Sequence, residues 1–239
     1  MLTDLLIEIR KLKGSLVLAL CVVAPTLVAL LLAVVCIRQP RMAWHNAMMG
    51  TTGLWAYFIM PMTVTALSVL VAQIEHARGA WDHLLALPVR RWRIFAAKGL
   101  LIMLLTTLIS LILALEIRVV AAIITAVLPQ KAPLGEYPWA LCFKLLAMMW
   151  GASLCMVMLQ LWVALAFRSF VAPLTTGLAG TFFAVAAFGA RETVFIPWVM
   201  PVSVIARNGD TATLALQLGV GGGLAVFLLM TLHLSRKEA

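Results

Sequence analysis

The sequence predicts an all-α polytopic membrane protein, and three observations carry that expectation. The 239 residues are 64% hydrophobic with a mean hydropathy of +1.08, and only 11% are charged. A soluble domain cannot hide so much apolar surface. Several apolar runs exceed 18 residues, enough to cross roughly 30 Å of hydrocarbon. The charges that remain gather between those runs. One transmembrane domain over 1–239 follows, with little chain outside the bilayer.

Residues 2–13 place Leu2, Leu5, Leu6, Ile9 and Leu12 on one helical face, with Asp4, Glu8, Arg10, Lys11 and Lys13 on the rest. Acids lead and bases follow, which suits the helix dipole. The pattern predicts an interfacial elbow helix over 1–14 rather than a span. Six transmembrane helices are expected at about 15–37, 53–74, 98–119, 143–167, 170–189 and 212–234, bounds set by run length. An even count puts both termini on one side. With the termini cytoplasmic, inner segments hold 11 of the 18 Lys and Arg residues, outer segments hold six, and Arg118 is left in an apolar run. That asymmetry favours cytoplasmic termini. The formal charge of +9 therefore speaks for headgroups and orientation, not for nucleic acid. Between spans five and six, 190–211 holds an apolar stretch broken by Pro197 and Pro201. It is too short to span, so a re-entrant or surface hairpin on the outer side is expected.

The segment 75–97 is a charged island between spans two and three. Trp81, Leu84, Leu85 and Leu87 form an apolar stripe, Arg78, Asp82 and His83 lie off it, Pro88 ends the helix, and Arg90, Arg91 and Arg93 follow. A short helix with one apolar stripe and a charged rim suits a groove on a cytoplasmic partner. It equally suits a bed of lipid headgroups, and composition alone does not separate the two.

The order Glu75, Gly79, Trp81, Leu84-Leu85, Leu87-Pro88-Val89, Arg91, Ile94, Lys98 resembles the first cytoplasmic loop of ABC-2-type exporter permeases, closest to the bacitracin-resistance and lantibiotic-immunity branch. The resemblance implies that this loop is a coupling helix seated in a cleft of an ATP-binding cassette subunit. Docking would fall on Glu75, Arg78, Gly79, Trp81, Leu84, Leu85, Leu87, Pro88 and Arg91, and Lys98 would mark the start of span three. It also implies a second permease chain, identical or homologous, and an exported hydrophobic or amphipathic compound. The chain has no phosphate-binding loop of the Gly-x-x-x-x-Gly-Lys-Ser/Thr kind. No cofactor is expected on the chain itself; ATP and magnesium belong to the partner, and the chain is not expected to be an enzyme. The competing class is an ATPase-independent channel or an envelope-sensing membrane protein.

Inside the spans, Glu116 and Arg118 are the charges in a long apolar run. Intramembrane charge is costly and points to function by default. Glu116 lies 18 residues beyond Lys98, about 27 Å along a helix and near the outer hydrocarbon boundary. Three readings stand: an ion pair, a solvated outer end with 120–128 as a second outer helix, or the lining of an outward cavity. Gln160 is a candidate for a cross-helix or translocation-path contact. Most span hydroxyls are expected to bond their own helix. Gly219 and Gly223, four apart, admit close helix packing on span six. The four cysteines and four histidines show no metal-ligand spacing, so no metal site is expected.

Overall fold

The computed structural model describes residues 1–39, 42–76, 90–187, 191–206 and 209–236. Nine helices lie among them. They are α1 (Leu2–Lys11), α2 (Leu16–Arg38), α3 (Trp44–Leu54), α4 (Met60–His76), α5 (Arg91–Val127), α6 (Trp139–Ala166), α7 (Val171–Ala187), α8 (Met200–Ala206) and α9 (Asp210–Arg236). Five uninterrupted helical stretches are long and apolar enough to cross a membrane: α2, the run Trp44–His76, α5, α6 and α9. α7 is apolar but has 17 residues, about 26 Å of rise. The chain is therefore an integral membrane protein built from apolar helices. Its lipid-facing surface is what water would reject: Leu18, Val22, Leu27 and Leu30 of α2 and Leu104, Leu111 and Leu115 of α5 all point outward.

Two spans extend further than hydropathy suggests. The second begins at Trp44, nine residues before the expected start. Its opening is rich in Gly and Thr, which are weak helix formers. It stays helical because Trp44, Met48 and Thr52 are buried, and Thr51 and Thr52 donate to the carbonyls of Ala47 and Met48 at 2.7 Å each. A π-helical turn, Trp55–Ile59, joins α3 to α4 just before Pro61. Proline lacks an N–H and crowds the carbonyl four residues back, and a wider turn at this point absorbs that mismatch. The third span is also longer than expected. α5 runs unbroken over 37 residues, about 55 Å, so there is no separate helix at 120–128. Nothing in Val-Val-Ala-Ala-Ile-Ile-Thr-Ala-Val breaks a helix, and α5 stops only at Leu128–Pro129.

α9 lies along α6, α2 along α5, and α1 across the start of α5. The α6–α9 seam is close. A Cβ on Gly219 would collide with the backbone of Ala152, and one on Gly223 would sit 2.8 Å from the Leu154 carbonyl carbon. The stretch after α7 does not lie loosely over the bundle. Met200–Val204 of α8 are buried against α6 and α9, and the Trp198 ring covers Gly180 of α7.

Candidate functional site

The charged residues meet at one end of the bundle. Lys98, in the second turn of α5, is fully buried, as are Glu75 at the end of α4 (1% exposed) and Glu8 of α1 (5%). The Lys98 ammonium donates to Glu8 Oε2 and Glu75 Oε2, both at 2.8 Å. Lys11 Nζ donates to the other oxygens of the same carboxylates, 2.6 Å to Glu8 and 3.0 Å to Glu75. The result is a closed ring of two lysines and two glutamates in which every carboxylate oxygen has a cation. One turn earlier on α5, Arg93 holds Asp4 of α1 at 2.8 Å.

The ring sets which side of α1 meets the bundle. Asp4, Leu5, Glu8, Lys11 and Leu12 face the protein, while Leu2 (77% exposed), Leu6 and Ile9 face away. The physical reason is the solvent. At a membrane surface the apolar stripe gains by facing lipid, and charges too costly to leave in a low dielectric turn inward to find partners. The apolar periodicity marks an interfacial helix and does not by itself say which residues meet the bundle. The usable signal was the i, i+4, i+7 spacing of Asp4, Glu8 and Lys11.

Burial pushes the Glu8 carboxyl up, but Lys98 and Lys11 more than reverse it, so Glu8 is held below its ordinary value of 4.5. Burial likewise pulls Lys11 down, and its two glutamates return it above 10.5. A lowered acid stabilises the docked state above its ordinary value and loses that contribution as pH falls through the lowered one. A raised lysine does the reverse at the alkaline end. α1 should therefore stay docked from about pH 5 to 9 and release only below about pH 4.5. A nitroxide on Leu6→Cys, read by electron paramagnetic resonance, should show constant mobility across that range. Mobilisation between pH 5 and 7 would mean that other groups hold the helix.

The ring has a specific address. Glu75 precedes the segment 77–89 and Lys98 follows it, so α1 clasps both shoulders of the island. The proximal shoulder is tied once more: His76 Nε2 lies 3.3 Å from the Ala164 carbonyl, and Gln73 donates to the Arg168 carbonyl at 3.4 Å. The remaining docking candidates divide by position. Arg78, Gly79, Trp81, Leu84, Leu85, Leu87 and Pro88 lie outside the described residues, and Arg91 opens α5. Glu75 itself is no surface group. Its carboxylate is spent on the two lysines.

The other candidates lie elsewhere. Glu116 and Arg118 form no ion pair with each other. Glu116 Oε1 accepts from Thr26 of α2 at 2.7 Å, and its second oxygen is buried without a partner among the described residues. Gln160 is fully buried and donates to the Pro173 carbonyl at 2.6 Å, joining α6 to α7 rather than lining an open path. Thr63, Thr65, Thr106, Thr107 and Ser110 all donate to their own helix.

A family profile described as ABC-2 family transporter protein matches residues 5–184, from α1 through most of α7. The chain belongs to the ABC-2 transporter family. Members of this family are the membrane components of transporters that work with a separate ATP-binding subunit in the lipid bilayer. Comparison with curated proteins finds no match. The ring joins α1, α4 and α5 on either side of residues 77–89.

Proposed function

We propose that this chain is the permease subunit of an ATP-driven exporter of the bacterial inner membrane, with both termini cytoplasmic and six spans in one transmembrane domain. Its cargo would be hydrophobic or amphipathic: a peptide antibiotic, a drug or a lipid-like compound, as in the bacitracin-resistance and immunity branch. Residues 77–89 would be the coupling helix, presenting Trp81, Leu84, Leu85 and Pro88 to an ATP-binding cassette subunit that carries ATP and magnesium. A second permease, identical or homologous, would complete the pathway.

The observation that supports this reading best is the buried ring. Moving four charges out of water is expensive, and a simple connecting loop does not need them. A clasp on both shoulders makes sense where force enters. When the ATP-binding subunits close, displacement of 77–89 would move Glu75 and Lys98 together, and with them α4, α5 and α1. The helix start at Arg91, well before the hydrocarbon, extends α5 as a stiff lever toward the motor.

Trp81→Glu and Leu85→Glu put a charge on the docking stripe without touching the ring. Both variants should insert and fold normally but lose the ATP-binding subunit in affinity purification, by about tenfold or more for a lost aromatic anchor. Undiminished recovery of that subunit with both variants would refute the docking role. A neighbouring reading frame that encodes a phosphate-binding loop would identify the subunit to use.

A further inference from the structure

The far end of the bundle holds a second polar feature that transport coupling does not use. Arg118 lies 20 residues beyond Lys98 on α5, about 30 Å away and so at the opposite hydrocarbon boundary. Its guanidinium carbon lies 5.7 Å from the Tyr137 ring centre and 5.8 Å from that of Trp139. Those rings are themselves fixed. Trp44 packs edge-on against Tyr137 at 5.0 Å and donates its indole N–H to the Gly135 carbonyl at 3.1 Å, and Tyr137 packs against Trp139 at 4.8 Å. Among the described residues Arg118 has no ion pair and no hydrogen bond. Glu116, two positions back, is turned to Thr26 instead. A guanidinium carries five donors, and ring faces attract the cation without accepting those N–H groups in a directed way.

Arg118 lines a cavity of about 570 Å³ whose walls include Trp44, Thr125, Tyr137 and the Ala121, Ala122 and Ala126 face of α5. Among the described residues no carboxylate lines it. The cavity falls in the size range of small-molecule sites and exceeds what a lone inorganic anion needs. Val119, Ile123 and Val127 leave the neighbouring surface of α5 apolar and exposed. The site therefore presents one cation with free donors, an aromatic belt at headgroup depth and an apolar wall for a chain.

We propose that this cavity binds the phosphate of an anionic phospholipid from the leaflet remote from residues 77–89, with Arg118 as the bidentate phosphate contact. The planar fork of arginine matches two phosphate oxygens where lysine offers one point charge. The aromatic rings hold the guanidinium at that depth, and the acyl chains lie along α5. The site is independent of what the transporter carries.

The test is native mass spectrometry of the full-length protein, purified in mild detergent and exposed to micelles doped with phosphatidylglycerol or with phosphatidylcholine. The wild type should retain one phosphatidylglycerol and little phosphatidylcholine. Arg118→Gln should lower phosphatidylglycerol retention by about tenfold or more, the scale of one lost charge-assisted contact, and Arg118→Lys should fall between. Ala122→Phe fills the cavity while keeping the cation and should also abolish retention, so the result does not depend on one variant folding. Millimolar inorganic phosphate should not displace the lipid. Wild-type retention by either Arg118→Gln or Ala122→Phe overturns the site, and displacement by inorganic phosphate overturns its assignment to a lipid.

Discussion

Lys98→Met should release α1 and destabilise the protein by about 3–5 kcal/mol, the range found when one partner of a buried ion pair is removed. The size follows from what is left behind. Glu8 Oε2 and Glu75 Oε2 both lose their 2.8 Å contact, and Lys11, partly exposed, holds only the other two oxygens. Two carboxylates would then share one cation in a site that water barely reaches. They must take up a proton, admit water or separate, and the cheapest separation is for α1 to swing into the interface, where its leucines already face. Faster hydrogen exchange across residues 2–11 and a lower melting temperature in detergent would mark this outcome. Exchange in α1 unchanged from wild type would show that apolar contacts such as Leu12, not the ring, hold the helix. Arg93→Ala should be milder, because the Asp4–Arg93 pair is partly exposed.

Gly219→Val should be nearly as damaging, for a steric reason. The added Cβ meets the Cα and carbonyl of Ala152, which are backbone atoms of a packed helix and cannot rotate aside. α6 and α9 must move apart, at the cost of about 1–3 kcal/mol or more that overpacking brings, and the seam that orders the second half of the bundle opens. Gly221→Ala is the internal control. Nothing lies within 4 Å of its Cβ position, so it should be neutral or stabilising by up to about 1 kcal/mol. Equal thermal shifts for the two substitutions would mean that the seam is not the determinant.

Much of this architecture was legible in the chain. Hydropathy places the spans because a bilayer demands about 20 apolar residues per crossing, and the Gly219–Gly223 spacing announces a close helix approach because small residues serve that purpose in lipid. The errors have physical causes too. The expected second span began only at 53, and the residues before it include Gly and Thr, which are weak helix formers, yet burial of Trp44 and Met48 overrides propensity. The third span was cut short at its charges, although a helix end lets such side chains reach polar surroundings without breaking the helix. The ring was the largest omission. Glu75 was read as part of the island and Lys98 as the start of span three, but nothing in a one-dimensional pattern pairs Glu75 with Lys11, 64 residues away, or Lys98 with Glu8, 90 residues away. Partnering across that distance is a tertiary fact. What the sequence did offer was the spacing of Asp4, Glu8 and Lys11, which sets three charges on one face of an interfacial helix. Thr26 as the partner of Glu116 was equally invisible, one hydroxyl among many.

The proposal that the ring ties the residues flanking 77–89 to the bundle so that a motor can engage there can be tested without knowing the cargo. Affinity between the purified permease and its ATP-binding subunit should be compared for wild type, Lys98→Met, and the fourfold reversal Glu8→Lys, Lys11→Glu, Glu75→Lys, Lys98→Glu, which preserves every pairing with opposite sign. Residues 77–89 are identical in all three. The account predicts at least about tenfold weaker binding for Lys98→Met, a change of roughly 1.4 kcal/mol, and substantial recovery in the fourfold variant. Wild-type affinity in Lys98→Met protein whose α1 is demonstrably released would contradict it.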